Sequence, residues 1–170
     1  AGVRPGQRVL DVGCGPGALL TELIGRLGTD AVSGVDPSES YASAARERHP
    51  GVDIQVAAAE QPPFADDTFD AALAQLVVHL MTDPLAGLRE MARVTRRGGS
   101  VIALNEGTRA VYRSGDAPGQ AEEREYGINE HVHTLYAYLW AFARAGLVVR
   151  RIEQADGYDE MAGRRIGGKL

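Results

Sequence analysis

Three glycines at alternate positions, Gly13, Gly15 and Gly17, sit between a short apolar run and a helix-like pattern. Val9, Leu10 and Val12 before them suffice for one buried strand. Leu19, Leu20, Leu23, Ile24 and Leu27 after them fall on one face of a helix that starts at Ala18. Glycine in the turn lets the backbone take positive φ and lets a ligand lie directly against it. Strand, glycine turn and helix in this order form the corner where a doubly wound sheet meets a nucleotide-like ligand at a helix N-terminus. Without a ligand the same pattern would be a tight connection and nothing more.

Gly13, Gly15 and Ala18 also satisfy the G-x-G-x-x-A spacing of dinucleotide sites, so a nicotinamide or flavin cofactor is an alternative. Asp11 argues against it. A carboxylate two residues before the first glycine would repel a pyrophosphate, but would hold the bound water or ammonium group of an amino-acid moiety. A cationic ligand is therefore favoured.

With these residues, Leu10-Asp-Val-Gly-Cys-Gly-Pro-Gly17 resembles the first motif of the class I S-adenosylmethionine-dependent methyltransferases, in the methyltransferase-11 type branch that acts on small molecules. The resemblance implies that Asp11 lies near the methionine portion and that Gly13, Cys14, Gly15 and Gly17 line the cofactor. Cys14 has no activating neighbour in the local sequence, so it reads as a small residue where space is short rather than as a nucleophile.

Ala31–Asp36 reads as the second strand, closed by Asp36 about 20 residues beyond the glycines, where an acid accepts the hydroxyls of a ribose in adenosine-binding folds. Asp36 could instead shape the turn before Pro37 or help Ser38 cap the next helix. That helix runs from Ser38 to His49 and stops at Pro50-Gly51, with Tyr41 on its first turn. The resemblance puts Pro37, Ser38 and Tyr41 on the cofactor side with Asp36.

Val52–Val56 is the third strand. The stretch from Ala57 to Asp70 resembles the family's adenine loop, G-D-A-E-x-L-P-F-x-D-x-x-F-D. The family's Asp falls on Ala58, which removes a contact to the adenine amino group. Ala59 still offers its backbone N–H, with Glu60 and Gln61 beside it. Phe64 and Phe69 read as core anchors. Ala71 to His79 is a fourth strand that runs past its exit, and the resemblance implies that Gln75 and Leu76 line the cofactor, with His79 near the methyl donor.

Asp83 caps a helix with Pro84 in its first turn. Leu85, Leu88, Met91 and Ala92 mark its buried stripe, and Glu90 and Arg93 its wet face. Arg96-Arg-Gly-Gly99 ends the helix, and Ser100–Asn105 is the fifth strand. Thr134 opens a further helix with a C-cap at Gly146, and Leu147–Ile152 reads as a sixth strand. This alternation predicts an α/β domain with a doubly wound, mostly parallel, Rossmann-like sheet in the order 3-2-1-4-5-(7)-6. One such domain spans residues 1–170, with a substrate-side insert at 106–133 where the pattern loses its periodicity.

The net charge of −5 over 170 residues gives no footprint for nucleic acid. The longest mostly apolar stretch, Ala71 to Met81, is too short to span a bilayer. No signal-peptide pattern opens at Ala1, and one cysteine makes no internal disulfide, so a cytoplasmic setting is expected. Methyltransferases of this kind carry N-terminal helices over the active site, and the chain opens only a few residues before its first strand. That implies a covering segment outside this sequence or an open site. Oligomeric state is left open.

The expected activity is transfer of a methyl group from S-adenosylmethionine to a small-molecule acceptor by in-line displacement. A base is needed only where the acceptor must lose a proton, and the candidates are His79, His131 and His133. His131 and His133 would suit a metal pair on a strand, but no carboxylate or cysteine spacing completes such a site, so no metal is expected. The rival is a cofactor-binding or regulatory module of the same fold that transfers nothing. The departure at Ala58 favours it.

Overall fold

The strands β1 (Val9–Val12), β2 (Val32–Asp36), β3 (Asp53–Val56), β4 (Phe69–Gln75) and β5 (Thr95–Leu104) form one parallel sheet in the order β3-β2-β1-β4-β5. These are coordinates of a computed structural model, which describes residues 3–104, 121–123, 129–131, 135–148, 158–159 and 164–165. The strand order reverses at β1, which pairs with β2 on one side and β4 on the other. A crevice outside the carboxyl ends of these strands is where open α/β sheets bind ligands.

Alternation along the strands divides the core into two layers. Leu10, Val12, Val35, Ala72 and Ala74 face one way and pack with Leu88, Met91 and Val94 of α3 (Pro84–Val94). Ala141 and Phe142 of α4 (Leu135–Arg144) join that layer. Val9, Val32, Ala71 and Leu73 face the other way, towards Leu20 and Leu23 of α1 (Ala18–Leu27) and Ala42 and Ala45 of α2 (Glu39–Arg48). Asp11 and Asp36 follow the same alternation onto the α1–α2 face. That is how the fold buries two acids side by side.

The helix starts are chemically marked. Ser38 Oγ accepts the Tyr41 N–H at 3.4 Å, and Asp83 Oδ1 accepts the Ala86 N–H at 3.0 Å. After α4, Gly146 takes φ +77°, and the Leu147 N–H reaches back to the Phe142 carbonyl at 2.9 Å, closing the helix.

Three sequence expectations are corrected. β4 ends at Gln75 rather than running to His79, because Leu76 adopts φ +58° and turns the chain into a 3-10 turn at Val78–Leu80. Arg96–Gly99 does not finish α3. The helix stops at Val94, Thr95 already pairs with Phe69, and the next paired residue is Ser100 with Ala71, so these four residues bulge out at the head of β5. Leu147 and Val148 are not strand, and 149–152 lie outside the described residues.

The expected insert holds an antiparallel pair, β6 (Ala121–Glu123) with β7 (Asn129–His131). A second such pair, β8 (Tyr158–Asp159) with β9 (Arg164–Arg165), lies near the end of the chain. Among the described residues no helix is long and apolar enough to cross a membrane.

Candidate cofactor site

The glycine turn folds back over the end of β2. Gly13 and Cys14 both donate their N–H groups to the Val35 carbonyl, at 2.8 and 3.0 Å. The Gly15 N–H donates to Asp36 Oδ2 at 2.8 Å, and the Ser38 N–H to Asp36 Oδ1 at 2.9 Å. Asp36 thus shapes the turn before α2, the structural role foreseen for it. In doing so it also locks the exit of β1 to the exit of β2. Each of its oxygens still has a lone pair free for a hydroxyl.

The three glycines differ in what requires them. A Cβ on Gly13 would lie 2.5 Å from Val77 Cγ2, and one on Gly17 would lie 2.7 Å from the His49 ring. A Cβ on Gly15 would meet nothing within 4 Å. Packing within the chain accounts for Gly13 and Gly17. Gly15, at φ +53°, instead faces open space beside Asp36.

Asp11 is 1% exposed, and its Oδ2 has no hydrogen-bond partner. Burial first, and then the neighbouring Asp36, pushes its pKa up to about 7. Cys14 is buried in the same layer, where a Cβ on Gly34 would come within 3.1 Å of its Sγ. Burial, then Asp11 and Asp36, pushes the thiol up to about 12, so it stays protonated and is no nucleophile. An orphaned buried carboxylate, a second acid and an open glycine face fit a cationic amino-acid-bearing ligand, and would repel a diphosphate.

The loop after β3 begins with the Ala57 N–H on the Asp36 carbonyl at 3.1 Å. Ala58 is exposed and Ala59 buried. Glu60 Oε1 accepts the Asp83 N–H at 3.0 Å, so that oxygen is engaged by the start of α3. Phe64 and Phe69 meet edge to face, with centroids 5.0 Å apart, as the anchors the sequence suggests. Pro37 and Tyr41 are exposed at the start of α2, and Gln75 and Leu76 at the exit of β4.

Arg93 does not belong to a wet face. Its Nη1 donates to the Phe64 carbonyl at 2.9 Å and to Asp66 at 2.7 Å, its Nη2 to the Pro62 carbonyl at 3.4 Å, and its Nε to Glu90 at 2.9 Å. The three-residue spacing of Glu90 and Arg93 was the only signal in the sequence.

His49 also escapes sequence reasoning, where it only ends a helix. Its Nε2 lies 2.9 Å from the Gly17 carbonyl and 3.3 Å from Thr21 Oγ1, bracing the glycine turn as a donor to that carbonyl. His79 is half-buried in the 3-10 turn. β7, which carries His131, runs alongside that turn, while His133 lies outside the described residues. Among the described residues no cluster of potential metal ligands forms. A surface hollow of about 410 Å³ lined by Gly6, Arg8, Gly28 and Asp30 sits at the amino ends of β1 and β2, the far end of the sheet from the glycine turn.

Residues 10–103 match the family described as methyltransferase domain. The chain is 37% identical over 111 residues to the ubiquinone/menaquinone biosynthesis C-methyltransferase UbiE of Bdellovibrio bacteriovorus, covering 63% of this chain and 47% of that one. It is 36% identical over 106 residues to a phosphatidylethanolamine N-methyltransferase of Cereibacter sphaeroides, covering 59% and 51%. The chain thus spans about half the length of the curated relatives it matches. The fold superposes on an S-adenosylmethionine-dependent methyltransferase of Mesorhizobium loti with a TM-score of 0.72 at 20% identity, covering 95% of this chain and 83% of that one. The chain belongs to the methyltransferase-domain family, whose cofactor is the methyl donor S-adenosylmethionine rather than a dinucleotide.

Proposed function

We propose that this chain is the catalytic domain of an enzyme that moves a methyl group from S-adenosylmethionine to a small-molecule acceptor in the cytoplasm, without nucleic-acid or membrane partners. The observation that carries this is the open face of Gly15 beside Asp36, with an oxygen of the buried Asp11 on the adjacent strand left without a partner. The bound cofactor supplies a sulfonium methyl already activated for displacement, so the chain's work is to bind, orient and exclude water.

In this reading Asp11 faces the cationic methionine portion, with Gly13, Cys14 and Gly15 along it. Asp36, helped by Pro37, Ser38 and Tyr41, takes the ribose. Ala59 and Glu60 offer their main chain to the adenine, and Gln75 and Leu76 close the side towards β4. One of His79, His131 and His133 removes the acceptor's proton where the acceptor has one to lose. Residues 1–170 act as a single domain, and residues 106–133 form the acceptor side. The relatives named for quinone and phosphatidylethanolamine methylation support an acceptor with a large apolar part.

Calorimetric titration with S-adenosylhomocysteine and, separately, with NAD tests the cofactor assignment. Binding of the first alone is expected. Binding of NAD without any response to S-adenosylhomocysteine would overturn it. The non-catalytic module is kept as a second reading because Ala58 replaces the family's adenine-contacting acid. It predicts cofactor binding with no transfer in a broad acceptor screen.

A further inference from the structure

The loop between β3 and β4 is fastened along nearly the whole length of α3. At the start of that helix the Asp83 N–H holds Glu60. At its end Arg93 spreads one guanidinium over the Pro62 and Phe64 carbonyls, Asp66 and Glu90, while the Arg93 carbonyl accepts the Asp67 N–H at 3.0 Å. The loop's other end is tied to β2 through Ala57 and the Asp36 carbonyl. The segment Ala58–Gln61 is therefore suspended between fixed points.

Ala58 brings only a methyl group to this segment, and one Glu60 oxygen is taken up by Asp83. Recognition of a purine edge there falls to main-chain N–H and C=O groups. Such recognition depends on backbone position, because a hydrogen bond loses strength within a few tenths of an ångström and beyond modest angles. Two of Arg93's acceptors are main-chain carbonyls rather than exposed acids, so its fork sets where the loop backbone lies. An ammonium group is a point donor and cannot reproduce that planar, several-pronged grip.

We infer that Arg93 is a positioning residue for purine selectivity: by holding the Pro62 and Phe64 carbonyls it fixes the Ala58–Gln61 backbone that distinguishes adenine from other purines. The inference rests on the cofactor reading above and goes beyond it in assigning selectivity to a residue that touches no ligand.

The test compares S-adenosylhomocysteine with S-inosylhomocysteine, which lacks the exocyclic amino group, on the whole chain. Wild type is expected to prefer the adenine form. Arg93→Lys should weaken S-adenosylhomocysteine binding by about tenfold, the scale of losing one good hydrogen-bonded contact. It should weaken the inosine analogue less, so that the preference shrinks. Arg89→Lys, at an exposed position of the same helix, should leave both affinities unchanged. An Arg93→Lys protein that melts lower but keeps the full preference would make Arg93 merely structural and overturn the inference.

Hydrogen exchange on the wild-type protein gives a second test that needs no variant. The loop amides already paired within the chain, those of Gln61, Phe64 and Asp67, should be protected before any ligand is added. Free exchange at these amides that becomes protected only with S-adenosylhomocysteine would mean that the ligand, not Arg93, orders the loop. A wild type that binds neither analogue would instead sink the cofactor reading itself.

Discussion

Asp11 and Asp36 end up on the same face of the sheet on adjacent strands, one with an oxygen that has no partner and the other with both oxygens engaged by backbone N–H groups. Burial first, and then the neighbouring Asp36, lifts the pKa of Asp11 to about 7. Because the folded pKa lies above the unfolded value, Asp11 favours folding most at low pH, and that contribution is lost as pH rises from about 4 to about 7. Thermal melts of Asp11→Asn against wild type should show a smaller decline over that window. A cationic cofactor favours ionised Asp11, so binding below pH 7 should release a proton. Titrations in buffers of different ionisation enthalpy read this directly, and equal proton release by Asp11→Asn would refute the assignment.

Asp36 carries two loads at once. Asp36→Ala should lower stability by about 1–3 kcal/mol, since it leaves the Gly15 and Ser38 N–H groups unpaired. It should also weaken S-adenosylhomocysteine binding by roughly 1.5–3 kcal/mol, the range for hydrogen bonds to a charged group. Melts and calorimetry on one preparation separate the two effects. A lowered melting temperature with unchanged affinity would leave Asp36 as a turn residue only.

The glycines should separate in the same two measurements. Both positions have a left-handed backbone, which costs any other residue about 1–2 kcal/mol, but Gly13→Ala also drives a methyl into Val77, whereas Gly15→Ala meets only open space. Gly13→Ala is therefore expected to be the less stable protein. Gly15→Ala should lose affinity for S-adenosylhomocysteine out of proportion to its stability. The reverse order would mean that no ligand lies against Gly15.

Much of this was legible in the sequence for a physical reason: strands, caps and glycine turns are local signals. Val9–Val12, Ser38, Asp83 and Gly146 each announce an element within a few residues. What escaped was set by contacts distant in sequence. The apolar run from Ala71 to His79 reads as continuous strand, and only the left-handed Leu76 ends it. Arg93 and His49 find their partners across 27 to 32 residues, where helical periodicity says only which side a residue is on. The sequence around Asp36 fits either a turn former or a ligand group, and its geometry leaves room for both roles.

The histidines offer the sharpest division of labour. His49 braces the Gly17 carbonyl, so His49→Ala should weaken S-adenosylhomocysteine binding and lower the melting temperature, while kcat at saturating cofactor changes little. His79 makes no such contact with the turn, and the strand carrying His131 runs beside it. A base at that exit of β4 would act on the acceptor and leave the cofactor's grip alone. His79→Ala, His131→Ala and His133→Ala are therefore to be compared once an acceptor is in hand, with kcat and S-adenosylhomocysteine affinity measured separately. One of the three should lose about 10²–10⁴-fold in kcat with its affinity nearly intact, the usual share of general-base catalysis. The loss should shrink as pH rises if the acceptor's own ionisation can replace the base. Full activity in all three variants would mean that the chain works by proximity and orientation alone.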